Sequence, residues 1–268
     1  MKVYTLGTGH GDSTVSRYNT STAYETDDGR LYLFDVGAPA EASLRRRGLS
    51  VFDLRAVFLT HMHDDHVGGL TGLCKQITKY TGTADPERVI PIYFPEERAI
   101  EPFRAWFRAV RENPDTGHFS YRAVQDGVIY SDDHLTVTAI RTCHLRTISR
   151  TEGDPCSFAY VLDFKKEGKR VLHTGDLCGD FSDFPKIAHE EPFDLCVCEA
   201  THYSPEEHSE TLRTARFKRL VFIHVSDAWH VVVSPGWRVY NGEKELLSLC
   251  RDFPYPVQVA HDGDEFLI

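Results

Sequence analysis

Four side chains that commonly bind metal ions fall within six residues of this chain, in the run His61-Met62-His63-Asp64-Asp65-His66. Imidazole and carboxylate groups suit Zn²⁺, Mn²⁺ or Fe²⁺, and the lack of a nearby cysteine argues against a closed structural zinc site. His61 and His63 can converge on one metal ion, while Asp65 and His66 can reach a second, adjacent one. The run therefore predicts a hydrolytic site for two divalent metal ions, with Zn²⁺ as the first choice. A surface loop with incidental histidines is the alternative.

The run occupies a place in the chain from which side chains can converge. It follows a predicted strand, Ala56–Thr60, and precedes a predicted helix, Gly69–Tyr80. A loop at a strand end can aim several side chains at one point, which a continuous strand or helix cannot.

Three further candidate ligands stand at the ends of other predicted strands. His144 follows a strand over Leu135–Ile140, Asp176 follows one over Arg170–Thr174, and His224 lies in Phe222-Ile223-His224-Val225-Ser226. Each is weak alone, since a lone histidine near a strand end is more often a core or surface residue. Together with the run they supply seven ligands, among which Asp176 is the carboxylate able to bridge both metal ions.

The rest of the sequence is a succession of short apolar segments with a few helical patterns between them. No linker or repeat divides it, so residues 1–268 are expected to form one domain in which helices cover a two-sheet core. The other predicted strands are Lys2–Leu6, Ser21–Glu25, Leu31–Val36, Val89–Phe94, Phe158–Phe164, Asp194–Cys198, Arg219–Val225, Val257–Ala260 and Glu265–Ile268; the other predicted helices are Glu96–Glu112, one beginning at Ser204-Pro205, and Glu243–Arg251.

Composition narrows the class of substrate. The formal net charge is −10, from 40 acidic and 30 basic residues. Proteins that bind a long polyanion usually present a basic surface, so long nucleic acid is an unlikely partner.

The chain opens with a strand-like pattern rather than a signal segment, and no run of apolar residues suggests a membrane span. The seven cysteines are scattered and odd in number. We therefore expect a cytoplasmic protein with reduced thiols.

In this combination and order, these motifs resemble the metallo-β-lactamase superfamily. The resemblance is carried by Thr60-His61-Met62-His63-Asp64-Asp65-His66-Val67-Gly68-Gly69-Leu70, His144, His173-Thr174-Gly175-Asp176 and Phe222-Ile223-His224-Val225-Ser226, and it runs from Gly7-Thr8-Gly9 to Asp262-Gly263. It implies an α/β fold, the αββα sandwich, in which two facing mixed β-sheets are flanked by helices and the metal ions lie at one edge.

Within the superfamily, the chain is most similar to the branch of tRNase Z and related phosphodiesterases. Asn19-Thr20-Ser21, Cys198-Glu199-Ala200-Thr201 and His208-Ser209 carry this similarity. By analogy, the first metal ion would be held by His61, His63 and His144, and the second by Asp65, His66 and His224, with Asp176 between them. His208 resembles the histidine that serves as proton donor in that branch, and Glu199 would orient it.

Departures from the family pattern refine the function. A true metallo-β-lactamase usually has cysteine where Asp176 stands, so β-lactam hydrolysis is not expected. The sequence lacks the Gly/Lys-rich arm with which tRNase Z holds tRNA. Ser226–Asn241, which includes Trp229, His230 and Trp237, does not match the family's short connection, and the sequence assigns it no role.

The resulting hypothesis is a binuclear-metal phosphodiesterase for a small substrate, such as a cyclic nucleotide or cyclic phosphate. Metal-bound hydroxide would attack the phosphorus atom, with Asp65 orienting it. Three alternatives stay open: a tRNA 3′-processing endonuclease, a lactone or thioester hydrolase, and a non-catalytic sensor on the same fold.

Relatives in this branch are often homodimers. The expected interface is the segment Cys74–Asp133, in which Tyr80, Trp106 and Phe119 are the candidates for exposed residues.

Several polar residues near the motifs have two interpretations. Arg146 and Arg150 can reach a substrate phosphate, although solvated loop charges are the simpler interpretation. His10 and Asp12 are candidates for the pocket wall. His173 is expected to be a buried residue beside the site rather than a ligand.

Overall fold

In the computed structural model, residues 1–11, 16–84, 87–147, 155–225 and 243–268 are described. The predictions made for Asp12, Arg150 and the segment Ser226–Asn241 lie outside these residues. All seven cysteines lie within them, and each carries a free thiol.

The described strands form two seven-stranded sheets. The first sheet has the strand order β14-β1-β2-β3-β4-β5-β6, and the second has the order β13-β12-β11-β10-β9-β8-β7. The bounds in the first sheet are β1 Lys2–Gly7, β2 Ser21–Glu25, β3 Leu31–Phe34, β4 Leu54–Phe58, β5 Ile90–Phe94, β6 Phe119–Ala123 and β14 Asp264–Leu267; those in the second are β7 Gly127–Ser131, β8 Leu135–Thr142, β9 Ser157–Phe164, β10 Lys169–His173, β11 Leu195–Glu199, β12 Leu220–Ile223 and β13 Val257–Val259.

Short helices connect many of these strands. They are α1 Ala40–Arg46, α2 Asp64–Val67, α3 Leu70–Ala84, α4 Ile100–Ala109, α5 Ile187–Glu190, α6 Ser209–Thr214 and α7 Glu243–Leu249, with 3₁₀ turns at Glu97–Ala99 and His144–Thr147. No helix in the described part of the chain combines the length and the apolar character needed to cross a membrane.

Three apolar clusters show how the layers are stacked. The central cluster lies between the two sheets and contains Tyr24 and Phe58 of the first sheet with Tyr160 of the second. A second cluster packs α3 and α4 against the outer face of the first sheet, and a third packs α5, α6 and α7 against the outer face of the second sheet. The layer order is therefore helix, sheet, sheet, helix, as predicted.

Strand direction brings the motif-bearing loops to one edge of the sandwich. Strands β10, β11 and β12 are mutually parallel, so the segments that follow them emerge at the same edge of the second sheet. In the first sheet, β3, β4 and β5 are likewise parallel. Functional residues in such folds gather where the carboxyl ends of parallel strands meet.

The sequence predictions differ from the structure mainly at helix starts and sheet edges. Strands β6 and β7 and helix α1 were not predicted from the sequence, although the residues of β6 alternate between apolar and polar as a strand does. The helix expected from Ser204-Pro205 begins only at Ser209, since residues 205–208 form a turn. The helix expected over Glu96–Glu112 is a 3₁₀ turn followed by α4.

Candidate binuclear metal centre

His61, His63, His144 and Asp176 converge on one point, which we call the first subsite. Their potential ligand atoms all lie within 4.8 Å of one another. Nε2 of His61 and Nε2 of His144 lie 3.6 Å and 3.7 Å from Oδ2 of Asp176. Nε2 of His144 lies 3.4 Å from Nδ1 of His63. Three imidazoles and one carboxylate in this arrangement match the donor set and number of a tetrahedral Zn²⁺ site.

Asp65, His66, His224 and the same Asp176 form a second subsite. Nε2 of His66 lies 3.3 Å from Oδ2 of Asp65 and 3.4 Å from Oδ2 of Asp176. Nε2 of His224 lies 3.0 Å from Oδ2 of Asp65 and 3.4 Å from Oδ2 of Asp176. Because Oδ2 of Asp176 belongs to both groups, the seven predicted ligands form two adjoining subsites that share one carboxylate.

The buried polar atoms at this centre fit metal ions. Within the described residues, Nε2 of His61, Nε2 of His66 and Oδ1 of Asp176 are buried without a hydrogen-bond partner. Leaving such atoms unsatisfied costs about 1–3 kcal/mol each. Divalent cations between them would satisfy all three, so the geometry fits the two metal ions that the sequence predicts.

A buried carboxylate that was not singled out from the sequence orients the second subsite. Nδ1 of His66 donates to Oδ2 of Asp35 at 2.7 Å, so Nε2 faces the subsite. The backbone N–H of Thr60 also donates to Asp35, at 2.7 Å. Asp35 and His224 adopt left-handed backbone conformations, with φ of 56° and 53°. A non-glycine residue in that region stores about 1–3 kcal/mol of strain, which the surrounding contacts must offset.

Neighbouring groups orient the first subsite as well. The hydroxyl of Thr60 donates to Asp35, and its oxygen lies 3.1 Å from Nδ1 of His61. Nδ1 of His144 donates to the carbonyl oxygen of Leu177 at 3.1 Å. Both contacts leave Nε2 of the imidazole directed at the subsite, as is usual for metal-binding histidines.

Electrostatics favour ionised carboxylates at the centre. Burial alone would raise the pKa of Asp176, but the histidines around it, led by His224 and His66, hold this pKa well below its usual range. Burial likewise opposes protonation of His66, yet Asp176 and Asp35 together raise its pKa well above the usual value. Burial lowers the pKa of His61. The negative charge of Asp176 is therefore available to stabilise cations.

Glu199, at the end of β11, contacts a histidine that the sequence analysis did not consider. Oε1 of Glu199 lies 3.1 Å from Nδ1 of His202, and the same Nδ1 lies 3.6 Å from Oδ2 of Asp176. The His202 ring centroid is 4.4 Å from that of His144. The signal available in the sequence was the position of His202, three residues after a carboxylate at a strand end.

His208 packs on a different surface. Its ring centroid lies 5.1 Å from that of Phe181 and 6.2 Å from that of Tyr203, immediately before α6. The structure thus brings Glu199 to His202, whereas His208 lies against an aromatic pair.

The remaining candidates divide between the site and the surface. The buried His10 has its ring centroid 6.5 Å from that of His224. Arg146 pairs with the exposed Asp180 at 2.6 Å. His173 is buried, and its Nδ1 lies 3.0 Å from the hydroxyl of Tyr24 rather than in either subsite.

Two of the three residues expected to be exposed in the segment Cys74–Asp133 are exposed. Tyr80 and Trp106 are exposed, with 37% and 59% of their surface accessible. Phe119 was expected to be exposed, but it is buried in the cluster between the first sheet and its helices. Its place at the start of β6 turns this side chain toward that helix layer.

Comparison with known proteins adds family relationships to this geometry. A family model described as "Anti-Pycsar protein Apyc1" matches residues 1–212. Ribonuclease Z of Nostoc punctiforme is 34% identical over 143 residues, which cover 52% of this chain and 42% of that protein. The chain spans less than half of the length of the ribonuclease Z relatives that it matches.

Two solved structures show the same fold. The metallo-β-lactamase fold protein YhfI from Bacillus subtilis has a TM-score of 0.74 at 19% identity, covering 99% of this chain and 98% of that one. The short form of human tRNase Z has a TM-score of 0.72 at 21% identity, covering 100% of this chain and 99% of that one. These similarities confirm the predicted metallo-β-lactamase fold.

Proposed function

The chain belongs to the family described as "Anti-Pycsar protein Apyc1", in the tRNase Z-like branch of the metallo-β-lactamase superfamily, and from this premise we propose that it is a binuclear-metal phosphodiesterase. The observation that carries the proposal is the pair of adjoining subsites that share Asp176. Adjoining metal ions in such a site lower the pKa of a bound water and neutralise charge on phosphoryl oxygens.

Each residue of the centre has a defined task in this proposal. His61, His63 and His144 would hold the first ion and Asp65, His66 and His224 the second, with Asp176 contacting both. Oδ2 of Asp65 lies 3.0 Å from His224 and 3.3 Å from His66, so this carboxylate is fixed at the edge of the second subsite. There it can accept a hydrogen bond from the attacking water and orient it. Zn²⁺ is the ion we expect first, with Mn²⁺ or Fe²⁺ as alternatives.

We infer a small substrate, such as a cyclic nucleotide or another cyclic phosphate. The net charge of −10 disfavours a long polyanion, because phosphate backbones are bound chiefly by Lys and Arg. A cyclic phosphodiester carries one negative charge, which the two subsites can neutralise without an extended basic surface.

A second candidate is tRNA 3′ processing. It is favoured by the ribonuclease Z relatives, which match just over half of this chain. A tRNA substrate requires a basic track for the phosphate backbone. The two candidates therefore make opposite predictions for salt: cleavage of precursor tRNA should weaken steeply as salt rises, whereas hydrolysis of a cyclic mononucleotide should change little.

The test is hydrolysis by the metal-reconstituted protein. Bis(p-nitrophenyl) phosphate, a panel of cyclic mononucleotides and a precursor tRNA would be compared with His63→Ala and with a control variant of an exposed histidine, His261→Ala. We expect turnover of the first two substrates that His63→Ala loses and His261→Ala keeps. Cleavage restricted to precursor tRNA would support the second candidate. Absence of turnover with two bound metal ions per chain would contradict phosphodiesterase function.

We further propose that the protein is a homodimer. Helix α4 presents Trp106 outward, and exposed tryptophan is a common anchor of protein interfaces. Sedimentation of the wild type beside Trp106→Glu tests this: the wild type should sediment as a dimer and the variant should shift toward the monomer. A wild type that is monomeric at micromolar concentration would contradict the proposal.

A further inference from the structure

The carboxylate of Glu199 is held rigidly between two loops of the site. Its oxygens accept hydrogen bonds from the backbone N–H groups of Leu177 at 2.8 Å, Thr201 at 2.8 Å and His202 at 2.9 Å. The side chain is only 1% exposed. Three backbone donors fix both oxygens, so the remaining contact, with Nδ1 of His202 at 3.1 Å, has a defined direction.

This contact sets the orientation of the His202 ring. When Nδ1 donates to Glu199, Nε2 is the nitrogen on the opposite side of the imidazole, turned away from the carboxylate. The pair has the form of a histidine and its orienting acid, in which the carboxylate fixes the tautomer and the ring position.

His202 lies over both subsites and reaches solvent. Its ring centroid is 4.4 Å from that of His144 in the first subsite and 5.2 Å from that of His224 in the second. Its side chain is 18% exposed, whereas Asp176 beneath it is only 2% exposed. A substrate whose phosphate lies at the two subsites would therefore meet the His202 ring.

We propose that His202, positioned by Glu199, is the catalytic residue that protonates the leaving oxygen of the phosphodiester. The inference rests on the proposed function. It differs from the family analogy, which assigns this task to His208, because the described contacts of the His208 ring are with Phe181 and Tyr203 instead.

Hydrolysis exchanges one bond at phosphorus for another. The oxygen of the attacking water forms a bond to phosphorus, and the bond from phosphorus to the leaving oxygen breaks. The electron pair of that bond goes to the leaving oxygen, which takes the proton from Nε2 of His202. The proton released by the water passes to solvent by way of Asp65, and solvent returns a proton to His202.

A proton donor has a signature that a merely structural residue lacks. An alkoxide leaving group, as in a cyclic nucleotide, requires protonation, whereas p-nitrophenolate leaves readily without it. General acid catalysis contributes about 10²–10⁴-fold to a rate. In His202→Asn, kcat/KM should fall by about 10²-fold or more for the cyclic mononucleotide that the wild type cleaves best, and by less than about 10-fold for bis(p-nitrophenyl) phosphate.

His208→Asn is the matched control, since it removes the histidine favoured by analogy. We expect it to change both substrates by a similar, small factor. Glu199→Gln should show the same selective loss as His202→Asn to a smaller extent, because the glutamine amide would donate to Nδ1 and shift the proton of His202.

Metal content, measured by plasma mass spectrometry, separates the alternatives. Wild type, His202→Asn and His208→Asn should each hold two metal ions per chain. Loss of an ion in His202→Asn would make this residue a ligand and overturn the proposal, as would equal losses on both substrates. A selective loss in His208→Asn alone would return the task to His208. A wild type inactive on every phosphodiester would instead contradict the proposed function itself.

Discussion

In the first subsite His63 and His144 are partly exposed, whereas all four candidate ligands of the second subsite are buried. The supports differ in the same way. His66 donates to the buried carboxylate of Asp35, while His144 donates to the neutral backbone carbonyl of Leu177. The second subsite thus has a carboxylate in direct contact with one of its histidines, whereas Asp35 reaches the first subsite only through Thr60, and the first subsite has an open face.

The difference indicates a division of labour within one centre. The buried subsite is held by a carboxylate, a strained backbone and tight packing, which fix geometry before any ligand arrives. The open subsite lies beside His202, whose ring centroid is 4.4 Å from that of His144, and its partly exposed histidines leave it accessible to a substrate. We infer that the second subsite contributes mainly to metal affinity and structural rigidity, whereas the first contributes mainly to substrate contact.

The strongest test of this comparison is to remove the charged support. Asp35→Ala leaves His66 buried beside the cavity of the missing carboxylate, and breaking a buried charged pair in this way costs about 3–5 kcal/mol of stability. Loss of an orienting partner also weakens metal affinity by about 10–100-fold. We expect chelator titration to remove one ion from this variant much earlier than the other.

Asp35→Asn refines that test without removing the side chain. The asparagine amide would donate to Nδ1 of His66 and move the imidazole proton to Nε2, the atom directed at the metal. Asp132→Asn is a suitable control, because Asp132 is also a hydrogen-bonded carboxylate but lies in the turn before β8, whereas His144 follows the opposite end of that strand. Equal loss of both ions in Asp35→Asn would contradict the separate roles of the subsites.

Much of this centre is visible in the sequence, and the reason is local. All seven candidate ligands occur in short motifs at strand ends, so a strand prediction and a residue type were enough to select them. Asp35 also left a signal, a carboxylate inside the apolar segment Leu31–Val36, but its partner His66 is 31 positions away. The pairing depends on the parallel register of β3 and β4, which local patterns do not specify.

The pair of Glu199 and His202 was missed for a different reason. Its members are close in sequence, but the turn that joins them is set by backbone donors from Thr201 and from the distant Leu177. The helix expected from Ser204-Pro205 would have carried His208 in its first turns. The observed turn instead places His208 on Phe181, a packing choice that no sequence period encodes.

A smaller effect is expected from His173, which packs beside the second subsite against Phe34. Burial lowers the pKa of His173 to about 4, whereas the unfolded chain has a value of about 6.5. A lowered histidine pKa contributes stability that is complete above about pH 6.5 and is lost as the pH falls toward about 4. The loss amounts to about 2 kcal/mol at pH 5.

Urea unfolding of the metal-free protein at pH 5, 6 and 7.5 would measure this loss. His173→Phe cannot take up a proton, so its stability should depend less on pH than that of the wild type, although it loses the contact with Tyr24. His261→Asn, a change of an exposed side chain, should follow the wild type. Parallel pH dependence in wild type and His173→Phe would show that the support beneath the second subsite is insensitive to acid.

The smallest effect is expected at the open rim of the first subsite, where Arg146 follows His144. Its guanidinium pairs with Asp180 at 2.6 Å, and both side chains are about half exposed, at 42% and 53%. Exposed pairs of this kind contribute little to stability, because solvent screens the two charges. Arg146→Ala should therefore leave the metal content at two ions and change KM by less than about 3-fold, since the arginine is already engaged by Asp180. Asp180→Ala is the informative companion variant, because it releases the Arg146 guanidinium from its ion pair. The contrary result would be a lower KM in Asp180→Ala together with a KM raised more than about 10-fold in Arg146→Ala. It would mean that Arg146 binds the substrate phosphate and that the open rim selects substrate by charge.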